Sequence, residues 1–134
     1  MKEIRDQFEI TALPQNAALA REHVRKIAER SGFSGVELAD IEIATGEAVT
    51  NAILYGSPDA ASRIHISCGF AAGAFCIEVR DQGRGFDPAR IPDHTDMDAL
   101  GGRGLRLMRA LMDQVDLHYD GRGMLARLTK TKTS

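Results

Sequence analysis

The stretch 36–56, VELADIEIATGEAVTNAILYG, reads as one long helix. Its apolar and small residues are Ile41, Ile43, Ala44, Ala48, Val49, Ala52, Ile53 and Leu54. A surface helix shows one apolar stripe, whereas a helix apolar over most of its circumference is buried and flanked on both sides. Gly56 and Pro58 stop it. Among its polar residues, Glu47 and Asn51 stand four positions apart, and the helical repeat sets them side by side on one face. Asp40 falls on roughly the same stripe. Ala44, Ala48 and Ala52 are small enough to let a ligand approach the helix closely. The pair is open to two readings: a polar stripe facing solvent or making one tertiary hydrogen bond, or a carboxylate and an amide that meet a ligand.

On the N-terminal side of this helix, Ile4, Phe8 and Ile10 alternate with Glu3, Arg5, Gln7 and Glu9, the pattern of a strand with one wet face. Pro14 opens a helical pattern through Leu19, His23, Ile27 and Arg30, which Ser31-Gly32 ends. On the C-terminal side, Arg63–Phe70 and Ala74–Asp81 read as two strands joined by a short turn at Ala71–Gly73. Residues 82–101 are rich in Gly, Asp and Pro and have no apolar period. A long irregular stretch inside a compact domain is usually functional. A helix over Leu105–Met112 follows, then strands Val115–Tyr119 and Met124–Thr129 around Asp120-Gly121, with Lys130–Ser134 expected to fray. This order of strands and helices predicts an α+β two-layer sandwich.

The 134 residues are 43% hydrophobic and 27% charged, with a net charge of −2. That suits one domain over 1–134 with its own core. The charge balance excludes the broad basic surface of a dedicated nucleic-acid binder. No run of 18 apolar residues is present, and the opening MKEIRDQFEI has no apolar signal segment. A cytoplasmic protein that binds neither nucleic acid directly nor membrane is expected. Cys68 and Cys76 have opposite parity relative to the apolar residues of their strands, so they point to opposite sheet faces and no disulfide is expected.

Two further segments are candidates for chemistry. In Asp81-Gln-Gly83-Arg-Gly85, Asp81 ends a strand on the core side, and a buried carboxylate needs partners. These are a ligand amino group or the backbone amides of the following turn. In Gly101-Gly102-Arg103-Gly104, a glycine-rich run enters a helix, which is either a flexible loop or an anion site. Arg103 sits at the positive end of the helix dipole, where a bound anion would offset its charge.

Together these segments resemble the nucleotide-binding boxes of the Bergerat-fold (GHKL-type) ATPases. Gly46-Glu-Ala-Val-Thr-Asn51-Ala-Ile-Leu-Tyr-Gly56, Val79-Arg-Asp81-Gln-Gly83-Arg-Gly85 and Gly102-Arg-Gly104-Leu, with Leu111-Met-Asp-Gln-Val115, are similar to the anti-sigma-factor serine/threonine kinases of bacterial partner-switching systems. Ala12-Leu-Pro-Gln-Asn16 through Ala20-Arg21 and Arg127-Leu-Thr-Lys130 extend the likeness over nearly the whole chain. Leu100 stands where relatives carry a basic residue, and Gly123-Met-Leu-Ala126 stands where they tend to have a threonine.

The resemblance implies a mixed, mostly antiparallel sheet with three main helices on one face. It implies an ATP-dependent kinase that phosphorylates an anti-anti-sigma (STAS-type) partner, sequesters a sigma factor and forms a homodimer. By the same resemblance Glu47 is the acidic residue that activates the acceptor hydroxyl, and Asn51 is the Mg²⁺ ligand. Asp81 accepts from the adenine amino group, Gly83 and Gly85 form the turn beneath the base, and Gly102, Arg103 and Gly104 meet the phosphates. A partner-binding surface is implied near Arg21 and the first helix, away from Glu47 and Asn51. Two other readings stay in view: a non-catalytic nucleotide-sensing protein that sequesters a partner, and a detached histidine-kinase ATPase domain.

Overall fold

The computed structural model describes residues 3–81 and 103–133. Its elements are β1 (Ile4–Thr11), α1 (Asn16–Arg30), α2 (Gly35–Tyr55), β2 (Arg63–Ala71), β3 (Ala74–Asp81), α3 (Arg103–Leu111), β4 (Gln114–Tyr119) and β5 (Met124–Thr131). The strands form one sheet in the order β1-β2-β3-β5-β4. All four pairings are antiparallel. The helices pack on one face, and α2 touches α1, α3 and strands β2, β3 and β5. It is the flanked central helix that its composition predicts.

Alternation in the strands sets the core. Ile64, Ile66 and Cys68 on β2 and Phe75, Ile77 and Val79 on β3 point under the helices and are buried. Each large apolar side chain so buried contributes about 1.5–3 kcal/mol. They meet Ile41, Ala44, Ala48, Val49, Ala52 and Ile53 of α2 and Val24 and Ile27 of α1 in one cluster. Phe33, in the α1–α2 turn, stacks edge-on against both Phe70 and Phe75. The β2–β3 turn is two residues, Ala72 and Gly73, with φ of 53° and 80°. Two positive φ values match the right-handed twist of the flanking strands.

Several expectations shift. On α1 the buried residues are Ala20, Val24, Ile27 and Ala28, while Leu19 is 61% exposed. The core stripe thus starts one residue later than the apolar spacing suggests. His23 on that helix pairs with Asp6 of β1, and its ring lies 4.3 Å from that of Phe8. The end of the chain does not fray at Lys130: β5 runs to Thr131, whose N–H donates to Asp113, and the Lys130 side chain is only 12% exposed. Cys68 lies in the core and Cys76 on the opposite face, both as free thiols. Burial, aided by nearby Asp6, pushes the Cys68 thiol up to about 12.

Candidate active site

Asp81 ends β3 on the core side, at 4% exposure. Its Oδ1 accepts from the Met124 backbone N–H of β5 at 3.0 Å. Two glycines close around it. A Cβ added at Gly56, just beyond α2, would stand 1.9 Å from Asp81 Oδ2 and 2.3 Å from its Cγ. A Cβ at Gly123 would stand 2.2 Å from the Asp81 carbonyl oxygen and 3.0 Å from Oδ1. Neither position can carry a side chain without moving the carboxylate or the strand end.

The β4–β5 turn presents this backbone donor. Asp120 Oδ1 accepts from the N–H groups of Arg122 and Gly123 at 2.9 and 3.0 Å, and Arg80 donates to Oδ2 at 3.2 Å. These donors hold the Asp120 carboxyl below its ordinary range, the backbone N–H groups foremost. The stretch Gly123–Ala126, which has no hydroxyl side chain, reaches Asp81 through its backbone.

Glu47 and Asn51 stand one turn apart on α2, both half-buried. Against them lies the first turn of α3. A Cβ at Gly104 would be 2.9 Å from Glu47 Oε2 and 3.5 and 3.7 Å from Asn51 Nδ2 and Oδ1. The fold thus brings the polar pair of α2 and the glycine-rich helix entry to one place. Gly83, Gly85, Gly102 and the Arg103 side chain lie outside the described residues, as does Leu100. Ala44, Ala48 and Ala52 are buried in the core, so the close approach at this stripe is made by α3 at Gly104. Asp40, on the same stripe, pairs with Lys130 at 3.0 Å and does not join the group.

Arg21 comes nearer to Glu47 than expected. Its Cδ would lie 3.2 Å from a Cβ at Gly46, so the missing side chain lets the arginine cross α2. Arg21, Glu42, Ile43, Gly46, Glu47 and Thr50 line one open cavity of about 340 Å³. The implied partner residue and the implied catalytic carboxylate share this cavity instead of occupying separate surfaces.

Gly46, Gly56 and Gly123 escape a reading by sequence alone. Gly56 reads as a helix stop and Gly123 as part of a turn, and both fill those roles as well. Their closeness to Arg21 and Asp81 depends on packing between elements distant in the chain.

Comparison with known proteins agrees with this arrangement. The family model for the histidine kinase-like ATPase domain matches residues 10–130. The serine-protein kinase RsbW of Listeria innocua is 31% identical over 135 residues, covering 92% of this chain and 84% of that protein. RsbW of Bacillus licheniformis is 32% identical over 142 residues, covering 97% and 88%. The crystal structure of the RsbU and RsbW domains of Rv1364c from Mycobacterium tuberculosis superposes with a TM-score of 0.71 at 21% identity. It matches 96% of this chain, which spans 32% of that longer one, and it shares the fold. Among the described residues no helix is long and apolar enough to cross a membrane. With a family model matched from the first strand to the last, and relatives above 30% identity over most of both chains, this chain belongs to the histidine kinase-like ATPase domain family and is a relative of its RsbW serine-protein kinases.

Proposed function

We propose that the chain is a one-domain, ATP-dependent serine/threonine protein kinase over 1–134 that phosphorylates a STAS-type anti-anti-sigma partner. In the same reading it acts in the cytoplasm as an anti-sigma factor and binds a sigma factor when that partner is phosphorylated. The observation that carries the reading is the meeting of Gly104 with Glu47 and Asn51. It sets a carboxylate, an amide and a helix N-terminus together, and phosphoryl transfer asks mainly for positioning and charge neutralisation.

The residues suit Mg²⁺-ATP. Gly104 has no side chain where a phosphate would approach the N–H groups of α3, the favourable end of the helix dipole. Asn51 offers Mg²⁺ one oxygen, which fits an ion that keeps phosphate and water ligands. Bound there, Mg²⁺ neutralises phosphate charge. Glu47 is one helical turn away and lines the cavity that holds Arg21, so a hydroxyl entering that cavity meets a general base. Arg21 offers a positive group to the partner that carries this hydroxyl. Asp81, fixed by Met124 and bounded by Gly56 and Gly123, accepts from the adenine amino group, while guanine presents a carbonyl there. Gly83, Gly85, Gly102 and Arg103 complete the nucleotide site in this reading.

A homodimer belongs to the same proposal. Strand β1 lies at the sheet edge, and the sheet face away from the helices carries a trough of about 750 Å³ floored by small residues such as Ser67, Gly69 and Ala74. Light scattering at twice the 14.6 kDa chain mass supports it, and a monomer mass overturns it.

The deciding experiment incubates the protein with γ-labelled ATP and a STAS-type acceptor. Phosphoserine or phosphothreonine on the acceptor is expected, with transfer falling about 10²–10⁴-fold in Glu47→Gln while ATP affinity is kept. Binding without transfer would leave the nucleotide-sensing sequestering protein. Asp81→Asn should erase most of the preference for ATP over GTP, a loss of about 1–3 kcal/mol.

A further inference from the structure

We propose that Lys130 is a positioning residue that sets Gly104 against Glu47 and Asn51 by holding the far end of α3. Lys130 points from β5 to the helix side, and its Nζ donates to Asp40 Oδ2 at 3.0 Å and to the Leu111 carbonyl at 2.5 Å. The lysine and aspartate side chains are 12% and 19% exposed, so the pair is shielded from most screening by water. The ammonium sits at the C-terminal carbonyls of α3, where the helix dipole favours a cation, and both bonds are charge-assisted.

The geometry makes this anchor matter at the other end of the helix. Asp40 and Glu47 are seven residues apart on α2, and Gly104 and Leu111 are seven apart on α3. Each interval is two helical turns, about 10 Å. The two helices run antiparallel along one seam. Gly104 lies against Glu47 and Asn51 at one end, and Leu111 is tied through Lys130 to Asp40 at the other. A two-turn helix moves as a rigid rod, so releasing Leu111 shifts Gly104. Two backbone-linked contacts, Asp113 N–H to Thr129 O and Thr131 N–H to Asp113, hold the chain after α3 to β5 but not to α2. Lys130 alone of these contacts ties α3, α2 and β5 at one point.

This role rests on the proposed function, in which the start of α3 meets the nucleotide phosphates. The test therefore compares two ligands. Lys130→Met keeps the aliphatic stem and removes the charge. ATP affinity should fall about tenfold, the size expected when a displaced α3 N–H group loses one hydrogen bond to a charged phosphate, while adenosine, which lacks phosphates, binds as in the wild type. Asp40→Asn leaves the bond to Leu111 in place and should show the same split at about threefold; it answers the question if Lys130→Met does not fold. A structural lesion without positioning would lower ATP and adenosine affinity alike, and that result, or an unchanged ATP affinity, overturns the proposal. A wild-type protein that binds ATP no better than adenosine overturns the functional reading and the positioning role with it. A wild-type preference for ATP that both variants keep overturns the positioning role alone.

Discussion

The site has two ends, and they are built by opposite means. At Asp81 the carboxylate is fixed by contact: a backbone N–H from β5 at 3.0 Å, with Gly56 and Gly123 too close for any side chain. At Glu47 and Asn51 the polar groups meet a helix start whose close approach depends on the missing side chain at Gly104, against the flexible end of Glu47 rather than a fixed carboxylate. Under the proposed function, contact suits the group that would select a base, because selection needs one orientation, and a bare helix start suits the end where phosphates would approach the N–H groups of α3. The same residue type, glycine, serves both ends, and the two substitutions Gly56→Ala and Gly104→Ala separate them.

Gly56→Ala should have the largest effect. The new Cβ overlaps the Oδ2, Cγ and Cβ atoms of Asp81, and Asp81 cannot retreat without breaking its bond to Met124. A loss of about 3 kcal/mol in apo stability is expected, at the upper end for overpacking. Urea denaturation measures it. A variant within 1 kcal/mol of wild type would mean that the Asp81 end is more compliant than its contacts imply, and the contrast between the two ends would fall.

Gly104→Ala should leave apo stability nearly unchanged. The Cβ meets the far end of the flexible Glu47 side chain at 2.9 Å, and alanine in a helix gains up to about 1 kcal/mol over glycine. The carboxylate must turn away, however. Misplacing a catalytic group by a fraction of an ångström should slow transfer about tenfold or more. Single-turnover phosphotransfer with full nucleotide occupancy reads this. Unchanged transfer would show that the position of Glu47 relative to α3 does not matter.

Much of this was legible in the sequence because the relevant signals are local. Glu47 and Asn51 share a helix face by spacing, and Asp81 inherits its inward direction from the alternation of Phe75, Ile77 and Val79. The glycine-rich entry at Gly104 marks the start of a helix. What stayed hidden depends on distant pairs. Asp40 shares the stripe of Glu47 but is bound to Lys130, 90 positions away. Gly56 and Gly123 meet Asp81 from two other elements, and a glycine after a helix or in a hairpin has a sufficient local reason to be there. Arg21 joins the Glu47 cavity only because Gly46 lets it cross the helix. Leu19 misled the reading of α1 because one residue of offset turns a helix by about 100°.

A smaller effect tests the helix that joins the two ends. Thr45 is fully buried in α2, and its Oγ1 has no hydrogen-bond partner among the described residues. Thr45→Val keeps the shape and removes the hydroxyl. Stabilisation by about 1 kcal/mol is expected, since an unsatisfied buried polar group costs about 1–3 kcal/mol. ATP affinity and transfer should not change, because neither end of the site is altered. A destabilised variant would place an undescribed partner on that hydroxyl.

The smallest effect concerns the support beneath the Asp81 end. Asp120 holds the β4–β5 turn through the N–H groups of Arg122 and Gly123, and that turn carries the Met124 N–H to Asp81. Its carboxyl is held below the ordinary value of 3.8 by those two backbone bonds, with Arg80 adding to them. A depressed carboxyl contributes stability that is present above the unfolded value and is lost as pH falls through the folded one. Asp120 is exposed, so water screens the interaction and the effect is slight. As pH falls below 3.8, the amide signals of Arg122, Gly123 and Met124 should shift together as the Asp120 carboxylate takes up its proton. In Asp120→Ala the turn should already be loosened at neutral pH, and this acid transition should be absent. NMR titration of both proteins reads the outcome. An acid transition that survives in Asp120→Ala would show that the turn is held by other groups.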